Sequence, residues 1–237
     1  YRAGSVVIAA AGRVPHSRLV RLVRRHFKFP PGKAEAADGA RHNTDNRLTV
    51  TPHGNNQVHL CLGFPGLAYN AREKMAALAL NAYLGGGMAS VLFQKIREER
   101  GLAYSVFTFH DFYSDAGVVG AYVGTDPQHM RKALHIVLAE MARLQTKRLP
   151  KGQLEKIKSQ MKGQLALGME STSSRMNRIA RQELMRLSYH DYKRILKEVD
   201  RITSSHIMEL ANCLFDRSRM AVAALGPADK KAFDDVL

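Results

Sequence analysis

The run GGGMASVLFQKIREERGLAYSV, residues 85–106, constrains the fold more than any other stretch of the chain. Three consecutive glycines carry a heavy entropic cost inside a helix, so they end whatever helix precedes them. Leu92, Phe93 and Ile96 then recur at helical spacing, and Gly101 offers a stop. From Leu102 the side chains alternate as on a strand. A helix therefore hands over almost directly to a strand. Arg97, near the helix end, and Tyr104, on the strand, lie seven positions apart, a spacing that lets two hydrogen-bond donors converge on one point.

The remaining pattern is a series of short strands and amphipathic helices. Residues 5–12 are apolar and β-prone, and Leu19, Leu22, Val23 and Phe27 follow at helical spacing. Pro30, Pro31 and Gly32 end that helix, and residues 31–46 read as a mobile surface loop too short to separate two domains. Residues 47–52 and 57–64 read as strands joined by a hairpin-type connection. Asn70, with Glu73 three residues on, has the form of a capping box for a helix whose apolar side is Met75, Leu78, Ala79, Ala82 and Tyr83. Residues 102–110 and 116–124 read as a second hairpin. Asp126 and Pro127 open a helix with Met130, Ala133, Leu134, Val137, Leu138, Met141 and Leu144 down one face. Another helix begins at Pro150, residues 168–174 interrupt it, two or three more helices follow, one capped by Thr203, and 218–225 is the last strand. About six strands paired mostly by hairpins, with helices between and after them, predict an α+β fold with an antiparallel-rich sheet.

Composition narrows the class. At 237 residues the chain can bury a sizeable core, and we expect one domain spanning residues 1–237. No apolar run approaches the roughly 20 residues that a membrane span needs. Cys61 and Cys213 are too few and too far apart for a disulfide framework, and two buried thiols are expected. The 36 Lys+Arg against 21 Asp+Glu give a formal charge of +15, which raises acidic partners, nucleic acid among them. Most of these cations fall between apolar helix positions, as on solvated faces. Docking to an acidic half of the same protein is the alternative. Nucleic-acid binding is not expected, because no recognisable module is present and Trp is absent.

The run at residues 85–106 resembles the second-half signature of the pitrilysin/insulinase-type zinc metallopeptidases, the inverzincins, which include the mitochondrial processing peptidases. Residues 5–14 (SVVIAAAGRV) are similar to the opening strand of that family, 191–215 to its late helices and 219–227 (RMAVAALGP) to its closing strand. The resemblance thus spans nearly the whole chain. It implies an α+β half-domain with helices packed on one face of a six-stranded sheet. It also implies the C-terminal, zinc-less half of a zinc-dependent endopeptidase that hydrolyses peptides.

The zinc motif of such enzymes, H-x-x-E-H, places two histidines one helical turn apart as ligands with a glutamate as general base. It does not occur in this sequence; His129 with His135, and His206 with Glu209, lack the spacing. Zinc is therefore expected as the cofactor of the full-length protein, held by an N-terminal half in cis or in trans, with this chain inactive alone. The resemblance places the family's Arg/Tyr pair on Arg97 and Tyr104. Physically, preorganised donors aimed at the oxygen of an attacked peptide carbonyl lower the barrier by about 3 to 4 kcal/mol each. A guanidinium always carries its protons and a phenol has one directed donor. Arg100, four residues from Tyr104, does not match the pattern. On the plainer view, Arg97 is a surface cation paired among Glu98 and Glu99, and Tyr104 a half-buried strand aromatic.

Gly85, Gly86 and Gly87 lack the lysine and hydroxyl of a phosphate-binding loop and read as a break that lets the next helix approach the sheet. The strand over residues 102–109 offers an edge to an extended peptide, with Ser105, Phe107 and Phe109 on one side and Tyr104, Val106 and Thr108 on the other. The alternative function is a non-catalytic family member or partner subunit that binds peptides. Self-association is left open. The cytoplasm is the expected compartment, with the periplasm as the alternative.

Overall fold

The computed structural model describes residues 1–33, 39, 47–185 and 191–236. Five strands form one mixed sheet in the order β1-β5-β2-β4-β3, where β1 is Leu48–Thr51, β2 Val58–Gly66, β3 Ala103–Phe112, β4 Gly117–Thr125 and β5 Ala221–Leu225. β1 runs parallel to β5, and the other neighbouring pairs are antiparallel. Alternation explains why the sheet has one covered face. Val58, Leu60, Leu62 and Phe64 of β2, Val119, Ala121 and Val123 of β4, Val106 of β3, and Val222 and Ala224 of β5 are all buried. Helices α2 (Lys74–Gly85), α3 (Met130–Thr146) and α7 (Ser204–Leu214) pack on that side. Each large aliphatic side chain so enclosed contributes about 1.5–3 kcal/mol.

Backbone proximity divides the chain into two compact units, residues 40–161 with 196–237, and residues 1–39 with 162–195. The first holds the whole sheet and α2, α3 and α7. The second holds α1 (His16–His26) and α5 (Thr172–Leu184), neither of which buries a residue. Its N-terminal segment is tied down by Ala3 N–H donating to Pro30 O at 2.9 Å and Gly4 N–H to Gly32 O at 2.8 Å. Helices α4 (Lys151–Glu170) and α6 (Tyr192–Asp200) run through both units. Most of the loop expected at 31–46 lies outside the described residues.

The expected count of about six strands is corrected to five. Residues 5–12 do not form a strand, although their local backbone repeats that leading into β5. Ala3–Ser5 and Arg217–Arg219 are both single 3-10 turns. Gly12 and Gly226 both take positive φ, 132° and 125°. Val14 N–H donates to Gly12 O, and Ala228 N–H to Gly226 O, each at 2.9 Å. The difference is pairing, because β5 has a neighbour on each edge whereas residues 6–11 have none among the described residues. A β-prone sequence becomes a strand only with a ladder to join.

Three further expectations are corrected. β1 and β2 are not a hairpin, since β5 inserts between them. The Asn70 cap is not used: α2 begins at Lys74 behind Glu73, with no side-chain cap. Cys61 is half-buried and Cys213 exposed, rather than both buried. The β3–β4 hairpin, the Asp126 side chain accepting from Gln128 N–H, and the Thr203 cap of α7 are as the sequence predicts.

Candidate active site

The site begins where α2 ends. A Cβ on Gly85 would lie 2.4 Å from Thr108 N and 2.7 Å from Thr108 Oγ1, so glycine lets the helix backbone rest on β3. Thr108 Oγ1 fastens the contact by donating to Asn81 O at 3.1 Å. Ser90 then donates from both its backbone and hydroxyl to Gly87 O, at 3.0 and 2.6 Å, and starts the next helix. That helix widens. Phe93–Glu98 is a π-helix, closed by Glu99 N–H donating to Gln94 O, five residues back, at 2.8 Å. Single π turns inside helices are uncommon and concentrate at functional sites. Ile96 and Leu92 are fully buried and anchor it. Gly101, at φ 58°, reverses the chain, with Gly101 N–H bonded to Arg97 O and Leu102 N–H to Ile96 O.

The second irregularity sits on β3. Ala103 pairs with Thr125 and Ser105 with Gly124, leaving Tyr104 as an extra residue in a bulge. Unbroken alternation would keep Tyr104 on one side with Val106 and Thr108, as grouped above, and that side is the covered one. The bulge instead turns it outward: Tyr104 is 72% exposed, while Ala103, Val106 and Thr108 are buried. The guanidinium carbon of Arg97 stands 5.3 Å from the Tyr104 ring centre and 5.0 Å from that of Phe93. Such cation–π contacts contribute about 0.5–1 kcal/mol at exposed sites. Among the described residues Arg97 makes no ion pair, and Glu99 pairs with Arg100 at 2.8 Å. The Tyr104 hydroxyl likewise has no hydrogen-bond partner among them. The two side chains singled out by the sequence are thus neighbours whose donors face outward.

Behind the π-helix lies a cluster that the sequence reading missed. Glu140 of α3 is only 5% exposed. One carboxylate oxygen accepts from Lys95 Nζ on the π-helix and the other from Arg143 Nε at 2.8 Å. Arg143 also donates to the Tyr83 hydroxyl. Burial alone pushes the Glu140 carboxyl up, but the hydrogen bonds from Lys95 and Arg143 outweigh it and hold it below the usual range. The cluster pins the helix that carries Arg97. Its signal was the position of Glu140 at helical spacing with Ala133, Val137 and Leu144, on the apolar stripe itself.

Among the described residues no three His, Cys, Asp or Glu side chains gather as a metal site. His135, weighed above with His129, instead faces Asp235, with 3.1 Å between Nε2 and Oδ2. The described residues do not fit a catalytic zinc.

Residues 1–161 match the family described as the peptidase M16 inactive domain. The chain belongs to this family. As an M16 domain it is 33% identical over 236 residues to an uncharacterised zinc protease of Streptomyces coelicolor, covering 96% of this chain and 51% of that protein. It is 32% identical over 228 residues to an uncharacterised zinc protease of Bacillus subtilis, covering 96% and 55%. The chain therefore spans about half the length of these relatives. A crystal structure of a protease from Helicobacter pylori shares the M16 domain's fold, with a TM-score of 0.78 at 20% identity over 92% of this chain and 54% of that one.

Proposed function

We propose that this chain is the C-terminal half of a zinc-dependent endopeptidase and that Arg97 and Tyr104 donate hydrogen bonds to the carbonyl oxygen of the peptide bond being hydrolysed. Zinc and the general base belong, on this reading, to an N-terminal half supplied in cis or in trans. The observation that carries it is the outward pairing of the Arg97 guanidinium with the Tyr104 ring at 5.3 Å. It is produced by two local irregularities, the π turn and the bulge, that ordinary helix and strand would not need. A fixed cation and a phenol side by side suit an oxygen on which negative charge develops. Their worth grows when a second half excludes water from the site.

The test is steady-state kinetics on the full-length or assembled protein with Arg97→Ala and Tyr104→Phe. Loss of one such donor lowers kcat by about 10²- to 10³-fold. Both residues are exposed, so melting temperatures should stay within about 2 °C of wild type. Unchanged turnover in both variants would defeat the assignment. A protein that binds peptides without cleaving them would instead be the non-catalytic member of the family.

A further inference from the structure

We propose that the open face of the sheet carries a subsite for one substrate side chain, built from Phe107, Tyr122 and His59 and suited to an aromatic or other flat apolar residue. It rests on the reading of Arg97 and Tyr104 as donors to the substrate carbonyl. The three rings come from neighbouring strands β3, β4 and β2, where the register sets Phe107 opposite Tyr122 and Cys61 opposite Tyr122. Phe107 and Tyr122 stack with centroids 4.8 Å apart at 26°, and Tyr122 and His59 follow at 6.1 Å and 30°. The rings form a shallow tiled floor. A 2.6 Å hydrogen bond between His59 Nδ1 and the Tyr122 hydroxyl fixes the middle ring. Gly124 keeps it low, since a Cβ there would come within 3.2 Å of the Tyr122 hydroxyl.

Position ties this floor to the reacting bond. Phe107 is 46% exposed and lies on the same strand and same face as the outward-turned Tyr104. Three residues of strand separate them by about 10 Å, and an extended peptide repeats a side chain on one side every ~7 Å. A peptide that runs along β3 with its carbonyl at Arg97 and Tyr104 therefore lays a side chain about three residues away over Phe107 and Tyr122. Aromatic faces also attract cations. Here the neighbouring Arg97 and the formal +15 of the chain disfavour a cationic occupant, which leaves an apolar or aromatic one. Flat rings stacked on flat rings gain beyond simple area burial.

The test uses the full-length or assembled protein and quenched-fluorescence peptides in which a single Phe is moved through the three positions on each side of the scissile bond, with an all-alanine parent. The same peptides, fluorescein-labelled, report binding by anisotropy. One position should favour Phe over Ala by roughly tenfold in kcat/KM. Phe107→Ala should compress that ratio toward one, mainly through KM. Phe107→Leu, which keeps apolar bulk without the flat ring, guards against misfolding and should compress it partly. Arg97→Ala should lower kcat for every peptide and leave the preference intact. Persistence of the preference in both Phe107 variants, or its absence in both readouts, overturns the subsite. Should no peptide be cleaved while the Phe preference in binding vanishes with Phe107→Ala and shrinks with Phe107→Leu, the subsite stands and the endopeptidase reading falls.

Discussion

Replacing Glu140 with alanine should destabilise the protein by about 2–3 kcal/mol, and the figure follows from who is left behind. Glu140 is 5% exposed, and its carboxylate engages Lys95 and Arg143. Breaking a fully enclosed ion pair costs about 3–5 kcal/mol, because the surviving charge has nowhere to go. Here the side chains of Lys95 and Arg143 keep 39% and 28% of their surface in solvent, so both can recover some hydration. The cost falls accordingly, and the cavity left by the Cγ methylene and the carboxylate adds back part of it. For a chain of this size that is a fall of about 5–10 °C in melting temperature, read by differential scanning fluorimetry at pH 7. The pH dependence is a second check. A carboxyl held below its ordinary value of 4.5 stabilises the fold above that value and loses the contribution as pH falls through the lowered one. The gap between wild type and Glu140→Ala should therefore narrow in acid. A shift under 1 °C at neutral pH, or a gap that stays constant to pH 3, would refute the reasoning.

Gly85→Ala should cost roughly 3 kcal/mol, because its methyl meets the Thr108 backbone, whereas Gly163→Ala in α4, where a Cβ meets nothing within 4 Å, should gain about 0.5–1 kcal/mol. Urea unfolding of the two variants reads both signs, and a matching loss in both would show that close packing at Gly85 is not the cause. His110 accepts a hydrogen bond from Leu67 N–H at 3.1 Å, and burial lowers its pKa from 6.5 to about 4 against a small opposing pull from Asp111. The unfolded chain then binds the proton more readily, so stability is full above about pH 6.5 and falls between there and about pH 4. After discounting for the ring's partial exposure the loss is about 1–2 kcal/mol. His110→Gln should flatten the melting temperature over this interval, and an unchanged slope would place the acid sensitivity elsewhere.

What the sequence made legible was whatever depends on local periodicity. β2 alternates strictly enough that its two sides could be read residue by residue, and the stripe of α3 from Met130 to Leu144 matches its buried face. The glycine break at residues 85–87 was likewise visible as a close approach. What escaped were features set by long-range pairing. Residues 5–12 and the β5 region are each preceded by a 3-10 turn and followed by a positive-φ glycine, and only β5 has neighbouring strands to join. The insertion of β5 between β1 and β2 is not encoded near either strand. Arg97 and Tyr104 were singled out from the run that holds them, but the π turn and the bulge that bring them together leave no mark in hydrophobic spacing. Glu140 was passed over because a carboxylate on an apolar stripe looks like an interruption until its two cations are known.

The bulge at Tyr104 makes this part of the chain sensitive to length more than to chemistry. Exchanging Ala103 or Ser105 for another small residue keeps the phase of β3 and leaves the phenol outside. Losing a single residue between Leu102 and Ser105 would restore regular pairing and swing every side chain on the near end of the strand through half a turn. The outward donor would then be traded for one buried among Val106 and Thr108. A one-residue deletion here acts as an off switch on the proposed chemistry, in a place where many point substitutions would pass unnoticed.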